Sequence, residues 1–368
     1  MSGISDVARL AGVSKSTASR ALSGTGYVSD ETRVKVEAVA ASLGYVPSMN
    51  AASLVTGRTR NVGVVIPYVN RWFFAEVLEG IQQALLEAGF DLTLYDAKPG
   101  TDARTKIFED FLARKRFDGL IAVGLEPDHD ELERLLAIGR PVVSVVGAGS
   151  STTVIEIDDD YAARRATEHL MALGHRDIGF LGGGIGPHWA QVDRRRLDGY
   201  MSAMRDAGLS DHIAHIRSAV SLPGGYAAAV DALGDARARP TAIVATCDEV
   251  AIGAIIAARR LGVQVPSDLS VIGIDDHEFA DMFSLTTFRQ FPQEQGRAAV
   301  DARRAPGRSR SRHDDGQHAG AARGAQFDIG TRPAAVRRGR RRPPARAPLT
   351  AGGMQKAPDA ASGAVLNS

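Results

Sequence analysis

A single cysteine, Cys247, stands in a chain of 368 residues, so no intramolecular disulfide can form and a reducing compartment, the cytoplasm, is the expected home. No apolar run approaches the ~20 residues needed to span a bilayer, and the N-terminus lacks the basic-then-apolar pattern of a secretory leader. Neither membrane insertion nor secretion is expected. Excess charge of one sign is also missing: 44 basic residues face 43 acidic ones, a formal net charge of +1. That excludes a histone-like wrapper and requires any nucleic-acid surface to be local. Catalytic signatures are absent too, with no G-x-S-x-G elbow, no lysine-bearing phosphate loop and no H-E-x-x-H pair. The nine histidines are scattered, none at metal-ligand spacing from Cys247. The glycine run Gly182-Gly-Gly-Ile-Gly186 fails as a dinucleotide loop because Pro187 stands where a third small residue is needed. The chain therefore does not read as an enzyme, and no cofactor or metal is expected.

What is present is enough apolar sequence for sizeable cores, in a chain long enough for two or three compact units. From Ile4 to Leu43 the spacing predicts three short helices, with Ser5, Ser14 and Ser29 each placed to cap one through a side-chain oxygen. Val7, Leu10 and Ala11 share one face, Ala18, Ala21 and Leu22 a second, and Val36, Val39 and Leu43 a third, so the stripes can close into one small core. Beyond Arg60 short apolar runs alternate with amphipathic stretches, the pattern of a parallel sheet covered by helices. The expected strands are Val62–Pro67, Asp91–Tyr95, Gly119–Val123, Pro141–Val146, Thr153–Ile157, Ile178–Leu181, Ala242–Thr246 and Leu269–Ile274. Gly89, Gly139, Gly174, Gly208 and Gly262 follow five of the intervening helices, where a left-handed residue would stop them.

After about Asp301 the pattern gives way to Arg, Ala, Gly and Pro, a composition that cannot bury enough apolar area to offset chain entropy and reads as disordered. We read it as a reading-frame shift near codon 301, which would remove a covering helix from the N-terminal subdomain and a strand from the body. A basic tail that adds non-specific DNA affinity is the alternative. The expected organisation is a helix-turn-helix domain over residues 1–46, a hinge or linker over 47–60, an α/β body over 61–300 and a low-complexity tail over 301–368.

Within the first unit, a short helix, a turn at Gly12–Val13 and a second helix with a polar N-terminal face form a helix-turn-helix. That arrangement brings Lys15, Ser16 and Thr17 to base edges in a major groove. Lysine can donate to guanine O6 and N7, and the short hydroxyls can reach bases or phosphates. Arg20, one turn on, is either a further base reader or a phosphate clamp. A capped helical hairpin without a DNA role is the bland alternative.

The run from Asp6-Val-Ala through Ala11-Gly-Val-Ser14, Thr17, Ser19-Arg20 and Val28-Ser29 to Gly44-Tyr45-Val-Pro47 resembles the lactose-repressor (LacI/GalR-type) family of transcriptional regulators. The resemblance continues to about Val300 and implies a lambda-repressor-like head joined to a periplasmic-binding-protein-like sensor of two α/β subdomains, with an effector, a sugar or sugar derivative, between them. It implies a homodimer on a pseudo-palindromic operator in double-stranded DNA. The DNA-binding set is then Ser5, Ser14, Lys15, Ser16, Thr17, Ser19 and Arg20, together with Asn50, Ala51 and Leu54 of a hinge helix, with Leu54 as a wedge that partly unstacks a central base step.

For the effector, ligands in open parallel sheets sit beyond the carboxyl ends of strands. Phe73 and Phe74 follow the first strand, Phe74 being the better lining candidate and Trp72 and Phe73 open to core packing instead. By resemblance Arg196 forks onto effector hydroxyls or carboxylates and Asp275 faces it, while a solvated helix start remains the alternative for Arg196. Cys247 stands where relatives often carry asparagine. Asp248 is expected to cap the following helix, and Asp158 either lines the cleft or caps the helix near Tyr161. The competing reading is a cytoplasmic sugar receptor whose N-terminal helices dock a protein.

Overall fold

The computed structural model describes residues 3–24, 26–45, 57–147, 152–184 and 190–304. Asn50, Ala51 and Leu54 and the tail from residue 305 lie outside them.

Three helices form the head: α1 (Ile4–Ala11), α2 (Lys15–Ser23) and α3 (Asp30–Ser42). Ser14 caps α2 by accepting from the Thr17 N–H at 3.1 Å, and Ser29 caps α3 from the Thr32 N–H at 3.4 Å. Ser5 does not cap. It lies inside α1, whose N-cap is Gly3, and the Asp6 carboxylate reaches back to the Gly3 N–H at 3.0 Å. Gly12 at φ +66° turns the chain between α1 and α2, a conformation that costs residues with a Cβ but not glycine. The core is small-residue packed: Val7, Ala8, Ala11, Ala18, Ala21, Val28, Val36 and Ala40 are buried, with Leu22, Val39 and Leu43 against them. Leu10, expected inside, is 51% exposed, and Ala8, which fits the same helical stripe with Val7 and Ala11, is buried instead.

The body holds two five-stranded parallel sheets. The first contains β1 (Asn61–Ile66), β2 (Asp91–Asp96), β3 (Gly119–Leu125), β4 (Val142–Gly147) and β5 (Thr153–Ile155), in the order β2-β1-β3-β4-β5. Alternation decides which helices each strand meets. Val62, Val64, Ile121 and Val123 point at α4 (Trp72–Glu87), whereas Val65, Leu120 and Ala122 point at the opposite layer, α5 (Asp102–Lys106, continued by tighter and wider turns to Arg114) and α6 (His129–Ala137). The second sheet contains β6 (Ile178–Gly183), β7 (Ala214–Ser218), β8 (Ala242–Ala245), β9 (Ser270–Asp275) and β10 (Thr286–Arg289), in the order β10-β9-β8-β6-β7, with the single-turn α11 (Ala280–Phe283) between β9 and β10. Ala242 and Val244 face α7 (Asp159–Ala172) and α8 (Gln191–Asp206). Ile243 and Ala245 face α9 (Leu222–Leu233) and α10 (Asp248–Arg260). All five helix-ending glycines adopt positive φ. Strands β7 and β10 were not expected as such: β7 mixes His215 and Arg217 with few apolar residues because it is an edge strand.

Among the described residues the chain crosses between the sheets twice, after β5 and after β10. The return leads into α12 (Pro292–Arg304), which packs on α4. Glycine makes the approach possible: a Cβ at Gly80 would lie 2.0 Å from the Gln293 carbonyl oxygen, and one at Gly296 2.3 Å from that of Val77. This helix covers the first sheet as far as Arg304, and what a frame shift near codon 301 was expected to remove beyond it lies outside the described residues. The helix passes residue 301 because Ala299, Val300 and Arg303 keep helical spacing against the first sheet, with the Arg303 guanidinium 4.5 Å from the Phe90 ring centroid.

Candidate functional site

Two sites emerge, one on the head and one in the body. On the head, Ser5, Ser14, Lys15, Ser16, Ser19 and Arg20 are exposed and Thr17 is half-buried. The Ser14 hydroxyl also lies 2.9 Å from Ser16 Oγ and 2.8 Å from Thr17 Oγ1, which pre-organises the first turn of α2. The base-reading candidates thus share the open N-terminal end of one helix. Tyr27, 92% exposed, follows Gly26, whose backbone sits against the Arg20 side chain. Sequence reasoning passed over it, although an aromatic beside a glycine turn was a legible signal.

In the body, a cleft of about 950 Å³ opens between the two sheets at the carboxyl ends of their strands. Phe73, Phe74, Arg196, Cys247 and Asp275 all line it. Phe74 rests on Gly124, where a Cβ would come within 2.5 Å of the ring, and meets Tyr68 edge-on at 5.9 Å. Trp72 instead stacks on His277 of the second sheet, with ring centroids 4.9 Å apart.

Arg196 is not a solvated helix start. It is 5% exposed and donates to Asp159 Oδ1 through Nε and to the Thr246 carbonyl through Nη1, with Nη2 also 2.8 Å from Asp159 Oδ1. Burial works against its charge, yet the Asp159 and Asp275 carboxylates more than offset that and hold its pKa above the ordinary value. Asp275 accepts from Gln290 Nε2 and from the Asp248 N–H. Burial pushes Asp275 up to about 7 against the pull of Arg196, and burial together with the Asp275 charge pushes Asp248 up to about 8. Burial also raises the Asp159, Asp193 and Cys247 side chains, so Cys247 is a neutral thiol.

Two expectations need correction. Asp158 does not line the cleft: it is exposed and caps α7, accepting from the Tyr161 N–H at 2.9 Å. The next residue, Asp159, turns inward as the chain enters the helix. Asp248 does not cap α10. Its oxygens accept from the His277 N–H at 2.9 Å and from the Thr287 hydroxyl at 2.8 and 2.9 Å, while Cys247 occupies the cap position without a side-chain bond. Gly273 leaves room for that carboxylate, since a Cβ there would lie 2.0 Å from its Oδ1.

Sequence reasoning also missed a pair of reciprocal contacts across the cleft. Glu126, after β3 of the first sheet, accepts from the Gln191 N–H at the start of α8 at 2.9 Å. Glu249, on α10 of the second, accepts from the Trp72 N–H at the start of α4. Each carboxylate satisfies an orphan donor on the opposite subdomain and meets the positive end of its helix. Burial raises both carboxyls despite these bonds. Arg104, which grips Glu131 at 2.7 and 2.6 Å and the Glu126 carbonyl at 2.8 Å, fixes the loop that presents Glu126.

A helix-turn-helix head joined to a two-sheet body with a polar cleft defines a DNA-binding regulator with a ligand-sensing domain. Comparison with known proteins agrees. Residues 3–48 match the model for bacterial regulatory proteins of the lacI family, and residues 167–305 match a periplasmic binding protein-like domain. The chain is 35% identical over 315 residues to the HTH-type transcriptional regulator DegA of Bacillus subtilis, covering 83% of this chain and 90% of that one. It is 35% identical over 309 residues to the ribose operon repressor of Haemophilus influenzae, covering 82% and 90%. The Lac repressor dimer bound to operator and the anti-inducer ONPF superposes with a TM-score of 0.73 at 27% identity, over 82% of this chain and 91% of that one. The chain belongs to the lacI family of bacterial regulatory proteins and is a DNA-binding transcriptional regulator, not a receptor docked to another protein. Among the described residues no helix is long and apolar enough to cross a membrane, and no group of three or more His, Cys, Asp or Glu could hold a metal ion.

Proposed function

We propose that the chain acts as a homodimeric repressor whose operator affinity is set by a sugar-like effector held between the two subdomains. The carrying observation is the convergence of Arg196, Asp159 and Asp275 with Phe74 in one cleft, polar groups that fix hydroxyls beside an aromatic face that covers a ring. Solved relatives include a family regulator from Enterococcus faecium with bound ribose and a regulator–cellobiose complex, which supports this class of ligand. On DNA, Lys15 and Ser16 read bases, Ser5, Ser14, Thr17, Ser19 and Arg20 contact bases or phosphates, and Asn50, Ala51 and Leu54 form the hinge segment that bends the operator centre. Effector binding couples to DNA through closure of the cleft, by an expected ~1–3 kcal/mol. The test is selection of bound sequences from random duplex DNA by the purified chain at low and physiological salt. An enriched palindrome with a flexible central step supports the reading, and no enrichment at either salt overturns it.

The residues after 304 we propose to be translated out of frame. Two observations support this: the sensor-domain match ends at residue 305, and the composition changes there to Arg, Ala, Gly and Pro. Sequencing the genomic DNA across codons 295–310 tests it, and one uninterrupted frame in independent reads refutes it.

A further inference from the structure

Unpaired N–H groups and the helix dipole make helix N-termini the ordinary docking places for an anionic ligand. Two of those that open on this cleft are already taken by the protein's own carboxylates, Glu126 at α8 and Glu249 at α4. Lining arginines also face the protein's own carboxylates. Arg104 holds Glu131 bidentately, and Arg71 and Arg194 lie within electrostatic reach of Glu249 and Glu126 respectively.

What remains is the floor. There Asp159, Asp193 and Asp275 lie around the Arg196 guanidinium, with Arg71 also within electrostatic reach of Asp193. Asp193 is 7% exposed and accepts from Thr246 Oγ1 at 2.6 Å. Asp159 Oδ1 takes the Arg196 bonds, and its Oδ2, on a side chain 1% exposed, has no hydrogen-bond partner among the described residues. A buried acceptor of that kind is costly until a donor reaches it. A hydroxyl would satisfy the oxygen and leave the buried negative charge in place, whereas a cation answers both.

We propose that the effector carries a protonated amino group, as an amino sugar or aminated polyol does, held by Asp159, Asp193 and Asp275. The proposal rests on the reading of this cleft as the effector site. The ammonium donates to Asp159 Oδ2 and to a free oxygen of Asp193 or Asp275, and the upward push on all three carboxyls is relieved when it enters.

The experiment is thermal unfolding of the full chain with three fractions of a bacterial small-molecule extract, separated at pH 7 into those retained by a cation exchanger, those retained by an anion exchanger, and those retained by neither. The cation-exchange fraction raises the midpoint, by roughly 5 °C once its active component exceeds Kd a hundredfold. In Asp193→Asn, which leaves the Asp159–Arg196 pair intact and keeps an acceptor for Thr246, the apparent affinity for that fraction falls at least tenfold. A shift produced instead by the anionic or neutral fraction overturns the proposal and leaves the effector cleft standing, as does unchanged affinity in the variant. No shift with any fraction removes the small-molecule reading of the cleft and the proposal with it.

Discussion

Replacing Glu126 and Glu249 should open the cleft, by an amount the structure allows us to work out. Each carboxylate caps a helix of the opposite subdomain, and a charged cap at a helix N-terminus stabilises by about 0.5–2 kcal/mol. Burial raises both carboxyls, which means that holding them charged is already opposed, so the lower half of that range applies, about 1 kcal/mol each. The two caps sit on different helices but act on one closing equilibrium, so their effects add. The double alanine variant loses about 2 kcal/mol, or roughly thirtyfold in the ratio of closed to open protein. Glutamine keeps an acceptor oxygen and loses only the charge, so the double glutamine variant falls between parent and alanine. Trp72 reports the outcome, because its ring stacks on His277 across the cleft and leaves that partner on opening. With Trp189 replaced by phenylalanine, Trp72 emission should shift to the red in the double alanine variant and by less in the double glutamine. An emission spectrum indistinguishable from the parent in the alanine variant would refute the reasoning.

Other consequences are as open to measurement. Lys15→Ala should relax base preference at one operator position and cost about 1–3 kcal/mol; equal weakening on all sequences would make Lys15 a phosphate contact instead. Because Asp275 and Asp248 are raised to about 7 and about 8 in the folded protein, the native state holds protons that the unfolded chain has released. Stability is therefore lost as pH rises from about 4 to about 8, and Asp248→Asn should flatten the fall in melting temperature between pH 6 and pH 8.5; a rise over that interval contradicts the assignment. Gly80→Val places carbon where the Gln293 carbonyl lies, and should cost at least about 1–3 kcal/mol in urea unfolding as α12 lifts from α4. Tyr200→Phe deletes a buried hydroxyl that donates to the Ile178 carbonyl at 2.6 Å and accepts from the Ala214 N–H at 2.9 Å, a loss of about 1–3 kcal/mol by the same assay.

Much of this architecture was legible before any coordinates, for reasons that differ by element. Buried parallel strands such as β6, and β1 after Asn61, are apolar, and capping residues such as Ser14 and Ser29 and terminating glycines mark helix ends regardless of what packs above them. Edge strand β7 hid its nature because one side of it meets solvent, and Leu10 was misplaced because Ala8 fits the stripe of Val7 and Ala11 equally well. In the cleft, Arg196, Cys247 and Asp275 could be singled out because the resemblance to the family carries over to their positions, and all three line the cleft. Asp159 could not be told from Asp158 and Asp160, since all three are acids and only the entry angle of α7 turns one of them inward. Glu126 and Glu249 carried no sequence signal, because each is defined by a backbone N–H that is distant along the chain and on the other subdomain.

The two passages between the sheets that the chain makes among the described residues have a mechanical meaning. One runs past buried Ile157 to Asp158 and delivers Asp159 onto Arg196; the other runs through Gln290, which is tied to Asp275 and to Gln295. Two such pivots confine the subdomains to turning about a single line, as two pins confine a door. The residues that would grip an effector lie beside those pins. A ligand there moves its polar contacts Arg196, Asp159 and Asp275 very little, while the rim that carries Glu126 travels much farther for the same rotation, so a small rearrangement at the axis is geared up with distance from it.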